Sequence, residues 1–302
     1  MVKKMRILRI FGFCLMCFAG FNAEAFSILT RKEDTNTQVL RVASFPDYFP
    51  FGYVSRDLRN SLVLDSVFIK TLEQYVSQKD YRIERIPFET LNEAVSALRE
   101  NGADVFVGAY YASSAFDYLE FVFPAVLVNP IHLMTTPDKI QKLHKLDDLK
   151  NMKGIYNEEE YIADYVKDKL KEMGIEPVAS ADEAYRQILT GEADFLLGSY
   201  YYNYGKTVEM GLKGYVSFST KALWDMPMFI AISKDMKNAK TVHELFRRLV
   251  ANPDFAENMK KNLKIVMKEK EEQSQGVVPP MYVRQVQENE LTPADELLRE
   301  AN

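Results

Sequence analysis

Residues 90–111 read TLNEAVSALRENGADVFVGAYY, and residues 180–201 read SADEAYRQILTGEADFLLGSYY, a match without a gap at an offset of 90 residues. Glu93-Ala94 answers Glu183-Ala184, Ala103-Asp104 answers Ala193-Asp194, Gly108 answers Gly198, and Tyr110-Tyr111 answers Tyr200-Tyr201. Each copy reads as one physical unit. Thr90 with Glu93, and Ser180 with Glu183, have capping-box spacing. Ala94, Val95 and Leu98, like Ala184, Tyr185 and Ile188, form an apolar stripe at helical spacing, and Gly102 and Gly191 are placed to end the helices. The apolar runs Val105-Phe106-Val107 and Phe195-Leu196-Leu197 suit strands buried on both faces of a parallel sheet. Each strand stops at a glycine and delivers two tyrosines. A helix–strand unit repeated in register implies two related α/β lobes.

The remaining segments fit around these units. Residues 39–44 predict a strand that leads into the loop Phe45-Pro46-Asp47-Tyr48-Phe49-Pro50-Phe51. Residues 62–76 predict an amphipathic helix and 81–86 a second strand. In the other lobe, residues 153–156 predict a strand, Asn157 caps a helix over 158–173, and 177–179 and 214–218 are extended. Residues 129–134 (NPIHLM) and 226–232 (MPMFIAI) mirror each other as crossing strands. The chain is thus expected to enter a second lobe and return, so that lobe 1 comprises 39–128 and 226–270 and lobe 2 comprises 129–225 with its crossing strands. Helix resumes from residue 241. The tail, 271–302, loosens after Glu272 and ends in a short helix opened by Thr292-Pro293.

The first 25 residues have another character. Lys3, Lys4, Arg6 and Arg9 form a basic head, residues 10–19 an apolar run, and Ala23-Glu24-Ala25 a small-x-small cleavage pattern. This is the pattern of a secretory signal peptide, and the run is shorter than the roughly 20 residues a membrane span needs. The expectation is a periplasmic protein beginning near Phe26, with residues 26–38 as a linker and no stable membrane insertion after cleavage. Cys14 and Cys17 both fall within the signal, so their C-x-x-C spacing carries no redox chemistry in the mature chain. Removing a segment of net charge +3 from a chain of net charge −5 leaves −8. Such a surface repels phosphate backbones and argues against nucleic acid. His132, His144 and His243 have no metal-ligand spacing, and neither a metal nor a cofactor is expected.

The order of residues resembles the family 3 periplasmic solute-binding proteins, which serve polar amino-acid ABC transporters. The likeness covers residues 39–268. Tyr48, Pro50 and Phe51 resemble the family's first-strand loop, and residues 93–108 its helix-Gly-x-Asp-strand segment. Phe121-Val122-Phe123-Pro124 resembles its Phe-Ser-x-Pro turn, Leu146-Asp147-Asp148-Leu149 the opening of its second lobe, and residues 184–197 its second Gly-x-x-Asp unit. The resemblance implies an α/β, two-lobed periplasmic-binding-protein type II fold. Each lobe would be a mostly parallel sheet flanked by helices, joined by two crossing strands, with ligand in the cleft. Open parallel sheets bind ligands outside the carboxyl ends of their strands. Two departures stand out. Ala115 occupies the position of the family's carboxylate-binding arginine, and Ser199 that of its amine-binding aspartate.

The candidate ligand-binding residues are Asp47, Tyr48, Phe51, Tyr110, Tyr111, Ser113, Ser199, Tyr200, Tyr201, Trp224 and Asp225. Asp47 can pair with a cation or bond its own backbone in a turn. Of each tyrosine pair, one member faces the cleft if the chain there is extended. Trp224 is a stacking wall or a core residue. Glu158-Glu159-Glu160 reads as a helix first turn complementing the dipole and facing solvent. No catalytic residue is assigned. The expected function is a monomeric binding protein that takes a small polar, aromatic or cationic solute and delivers it to an ABC-transporter permease. A sensing or partner-binding module on the same fold is the alternative, and a dehydratase-type enzyme, using a cleft carboxylate such as Asp47, Glu158 or Asp225, ranks behind both.

Overall fold

The computed structural model describes residues 37–44, 49–50, 67–141, 143, 146–273 and 275–283. The expected signal peptide, residues 26–36 of the linker and the final short helix lie outside the described residues, as do Asp47, Tyr48 and Phe51. Gln38, expected in the linker, opens a strand.

The strands are β1 (Gln38–Ser44), β2 (Tyr81–Pro87), β3 (Val105–Tyr110), β4 (Leu119–Thr135), β5 (Gly154–Asn157), β6 (Glu176–Val178), β7 (Phe195–Ser199), β8 (Ser217–Phe218) and β9 (Trp224–Ser233). They lie in the order β2-β1-β3-β9-β4-β7-β5-β6, with β8 against β4. The first three and the last three of this order are parallel. Between them the long strands β4 and β9 run antiparallel, with a register shift between Val122 and Leu127. These are the two expected crossing strands, and β4 is continuous through both halves. Every residue of β3 and β7 is buried, as their apolar runs require.

The helices are α1 (Val67–Val76), α2 (Leu91–Arg99), α3 (Pro137–Ile140), α4 (Asp164–Glu172), α5 (Ala181–Thr190), α6 (Tyr200–Glu209), α7 (Ala239–Val250) and α8 (Pro253–Gln273). At α2 the capping box is complete, with Thr90 and Glu93 bonding reciprocally. At α5 it is half made. Ser180 Oγ accepts from the Glu183 N–H, but the Glu183 carboxylate turns to Arg186 and Gln187. The helix ends differ too. Gly191 takes the left-handed cap of α5 at φ 77°, whereas after α2 Asn101 adopts φ 60° in place of the expected Gly102.

The repeat persists at the level of single hydrogen bonds. Asp104 N–H donates to Arg41 O at 2.8 Å while its Oδ2 accepts from Arg41 N–H at 2.9 Å. Asp194 N–H donates to Lys153 O at 2.8 Å and its Oδ2 accepts from Lys153 N–H at 2.8 Å. The carbonyl of Asp104 accepts from Ser233 N–H on β9, and that of Asp194 from Thr135 Oγ1 on β4. Each aspartate thus locks its strand to the parallel neighbour on one side and to a crossing strand on the other.

Helix α8 bridges the halves. Asn262 donates to Thr71 Oγ1 of α1 at 2.7 Å, and Lys270 donates to Glu209 Oε2 of α6 at 3.0 Å. The chain beyond it returns to the second half, where Val283 is buried.

Candidate functional site

Strand β7 lies beside β4 and β3 beside β9, and the last residues of β3 and β7 are joined through Asn129 of β4. Tyr110, at the end of β3, is buried. Its backbone N–H donates to Tyr161 Oη at 3.2 Å, and its own hydroxyl donates to the Tyr161 carbonyl at 3.4 Å. The two rings lie 4.4 Å apart between centroids. Asn129 of β4 donates through Nδ2 to Tyr110 Oη at 2.8 Å and accepts at Oδ1 from Ser199 Oγ at 2.6 Å. Ser199, the last residue of β7, caps α6 and donates its N–H to Glu160 Oε1. Glu160 Oε2 accepts from Asn203 Nδ2 at 3.0 Å, and Asn203 accepts from the Tyr185 hydroxyl. Asn129, Ser199, Glu160 and Asn203 are all at most 2% exposed, so their polar atoms need these partners.

Burial pushes the Glu160 carboxyl up to about 8, against the opposing pull of the Ser199 N–H, the Asn203 amide and Lys167. The carboxyl approaches so closely that a Cβ on Gly198 would collide with Glu160 Oε2 and Asn203 Nδ2. Here the glycine of the repeat serves packing.

This overturns one expectation. Residues 158–163 are not the first turns of a helix, because α4 starts at Asp164. Asn157 Oδ1 accepts from the Glu159 N–H at 3.1 Å, Glu158 N–H bonds Val178 O, and Glu160 turns inward to Ser199. The energy of satisfying two buried donors outweighs a first turn that would leave the carboxylate in water. A second expectation fails at Tyr200 and Tyr201. They open helix α6, so the alternation of an extended chain does not apply to them.

Beside Tyr110 lies a cleft of about 530 Å³. From the first half it is walled by Tyr110, Tyr111 and Ser114, and from the second by Tyr161, Asp164 and Tyr165. Tyr111 points away from Tyr110. It is 45% exposed and its ring packs on Phe116, Phe121 and Phe123. Ser113 lies in the 3-10 turn Ser113–Ala115 after β3, where Ala115 is buried. Tyr200 packs toward His132 and Phe218, and Tyr201 packs against Tyr200. Trp224 lies under Lys169 Nζ, 5.9 Å from the ring centroid, and the Asp225 carbonyl accepts from Tyr165 Oη at 3.1 Å. Ser199 is wholly buried and meets the cleft only through Asn129 and Tyr110.

Tyr161, Glu160, Asn129, Asn203 and Tyr165 were not singled out as site residues by sequence. An asparagine inside the apolar crossing segment 129–134, and another inside the tyrosine run 200–204, were the available signals: buried amides imply a polar network. Among the described residues no cluster of three His, Cys, Asp or Glu side chains is placed to hold a metal, and no helix is long and apolar enough to cross a membrane.

No family model and no curated protein sequence matches the chain. Solved structures do. A binding component of an ABC transporter from Wolinella succinogenes, complexed with lysine, superposes at TM-score 0.60 with 15% identity, over 75% of this chain and 94% of that one. The amino acid ABC transporter substrate-binding protein AbpA from Streptococcus pneumoniae, bound to L-arginine, gives TM-score 0.58 and 14% identity, over 77% and 95%. The GluR0 ligand-binding core from Nostoc punctiforme, in complex with L-glutamate, gives 0.52 and 15%, over 74% and 98%. The chain has the two-lobed periplasmic-binding-protein type II fold. In this fold the sheet order, the paired crossing strands and the repeated aspartate contacts follow from two similar lobes built on one continuous pair of strands.

Proposed function

We propose that this chain is an exported solute-binding protein whose lobes, 39–128 with 226–270 and 129–225, close on a small polar, aromatic or cationic solute and present it to an ABC-transporter permease. The observation that carries this reading is the cleft at the strand ends, walled by side chains from both halves. Its volume of about 530 Å³ is in the range of small-molecule sites. Five tyrosines and Asp164 line it, a surface suited to stacking and cation–π contact. Asp47, Tyr48 and Phe51 are assigned to the same site from the sequence. A melting scan of the purified mature protein against pooled metabolites tests the reading. A pool that raises the melting temperature, and a single component that reproduces the rise, supports it. Silence across sugars, amines, amino acids and nucleosides counts against it.

One observation favours a second reading, a sensing or partner-binding module. Tyr161 crosses to Tyr110 with two hydrogen bonds and a ring contact, so groups of the protein itself tie the halves together at the cleft.

A further inference from the structure

Five groups form a closed ring. Tyr161 Oη accepts from Tyr110 N–H, Tyr110 Oη accepts from Asn129, Asn129 accepts from Ser199 Oγ, and Ser199 N–H donates to Glu160. Glu160 is joined to Tyr161 by the chain itself. The ring passes through β3, β4, β7 and the loop after β5, so both halves contribute to it. Backbone bonds from Glu158 and Glu159 hold the start of the loop, and buried Ile162 and Ala163 hold its end. It is not helical, and its one inward-turned side chain before Tyr161 is Glu160. A side chain that anchors one end of a loop at two buried donors fixes where the next residue points.

We propose that Glu160 is the positioning residue of the cleft: its contacts with Ser199 and Asn203 hold Tyr161 across to Tyr110. The role rests on the solute-binding reading only in treating that cleft as the binding site. The position depends on the state of the Glu160 carboxyl. Burial raises it to about 8, while the Ser199 N–H and the Asn203 amide that donate to its two oxygens pull the other way. Among the described residues the titratable groups facing it are Lys167 of α4, Tyr185 of α5 and Tyr202 of α6. Lys167 alone supplies positive charge there, and burial pushes both tyrosine hydroxyls up, so they stay neutral as Glu160 ionises. Ionisation changes the charge on the oxygens that accept from Ser199 and Asn203, so the Ser199 bond and, through Tyr161, the Tyr110 bond are expected to change together.

The test uses the amide signals of Ser199 and Tyr110 in the ¹⁵N-labelled mature protein, without solute, from pH 6 to 10. Both N–H groups donate into the ring, at Glu160 and at Tyr161. In the wild type both signals are expected to move together in one step centred at pH about 8. Glu160→Gln is expected to lose the step, with its amide nitrogen displacing one of the two donors that the carboxyl accepts. Tyr161→Phe is expected to displace the Tyr110 signal at every pH while Ser199 still titrates. A Ser199 step with a stationary Tyr110 signal overturns the proposal, because Glu160 then acts locally. A step that survives in Glu160→Gln, or no step in the wild type, overturns it as well. Should Glu160→Gln fail to fold, the wild-type titration alone still decides. No solute enters these measurements, so a failed metabolite screen leaves their outcome intact, and a failed titration leaves the solute reading standing.

Discussion

Tyr161 and Tyr110 meet in the wall of the cleft, ring on ring at 4.4 Å, and the hydroxyl of one accepts the backbone N–H of the other. Binding proteins of this fold work by hinge motion. Opening has to break this contact, since Tyr110 ends a strand of the first half and Tyr161 follows β5 of the second.

Tyr161→Ala is therefore expected to shift the unliganded protein toward an open form. Solution scattering should show a larger radius of gyration than for the wild type. An unchanged radius would locate the tie between halves elsewhere, with α8 the first suspect, since it bonds Thr71 at one end and Glu209 at the other.

Asn129 is wholly buried and serves two partners at once. Asn129→Ala leaves Tyr110 Oη and Ser199 Oγ without it, and is expected to cost about 2–4 kcal/mol in urea unfolding. Ser199→Ala should cost about 1–3 kcal/mol. The double variant should lose less than the sum, by about 1 kcal/mol, because the two side chains share one bond. Strict additivity would mean that the bond contributes nothing.

Stability should also respond to pH through Glu160. Its carboxyl titrates at about 8 when folded, above the ordinary carboxylate value of 4.5. The folded state thus holds a proton that the unfolded chain has released. The contribution is fully present below the ordinary carboxylate range and is lost as pH rises through about 8. The slope in that window is at most about 1.4 kcal/mol per pH unit. Glu160→Gln should flatten it, and equal slopes for the two proteins across pH 5 to 8 would show that Glu160 is not the group responsible.

The fold was legible in the repeat because its signals are local. Capping hydroxyls, helical stripes and short apolar runs each sit within a few residues of what they determine. The site was less legible because its bonds are not local. Ser199 meets Asn129 across 70 positions, and Ser199 meets Glu160 across 39. Glu160 misled for a physical reason. Three consecutive glutamates after a capping asparagine carry every mark of a solvated first turn, and only the buried donors of Ser199 and Asn203 turn one of them inward. Tyr200 and Tyr201 misled in the opposite sense. The repeat aligned them with Tyr110 and Tyr111, but Ser199 caps a helix directly after β7, whereas β3 ends in a turn.

Ordinary α-amino acids are expected to bind weakly. From the sequence, Ala115 and Ser199 are assigned to the positions of the resembling family's carboxylate-binding arginine and amine-binding aspartate; Ala115 is buried, and Ser199 Oγ donates to Asn129. Two charge-assisted hydrogen bonds to a ligand carboxylate contribute roughly 3–6 kcal/mol, about 10² to 10⁴ in affinity. Titration calorimetry with the common amino acids should give dissociation constants of about millimolar or weaker. A micromolar value for any of them would show that another cation holds the carboxylate.

The central claim is that the cleft walled by Tyr110 and Tyr161 takes a small molecule. Native mass spectrometry of the protein isolated gently from its own cell envelope tests it most directly. The account predicts a population carrying one extra small-molecule mass, released on denaturation and absent from Tyr110→Ala and Tyr161→Ala proteins that still fold. A bound mass retained equally by both variants, or a wild-type protein that is bare from every envelope preparation and silent in the metabolite scan, would contradict it.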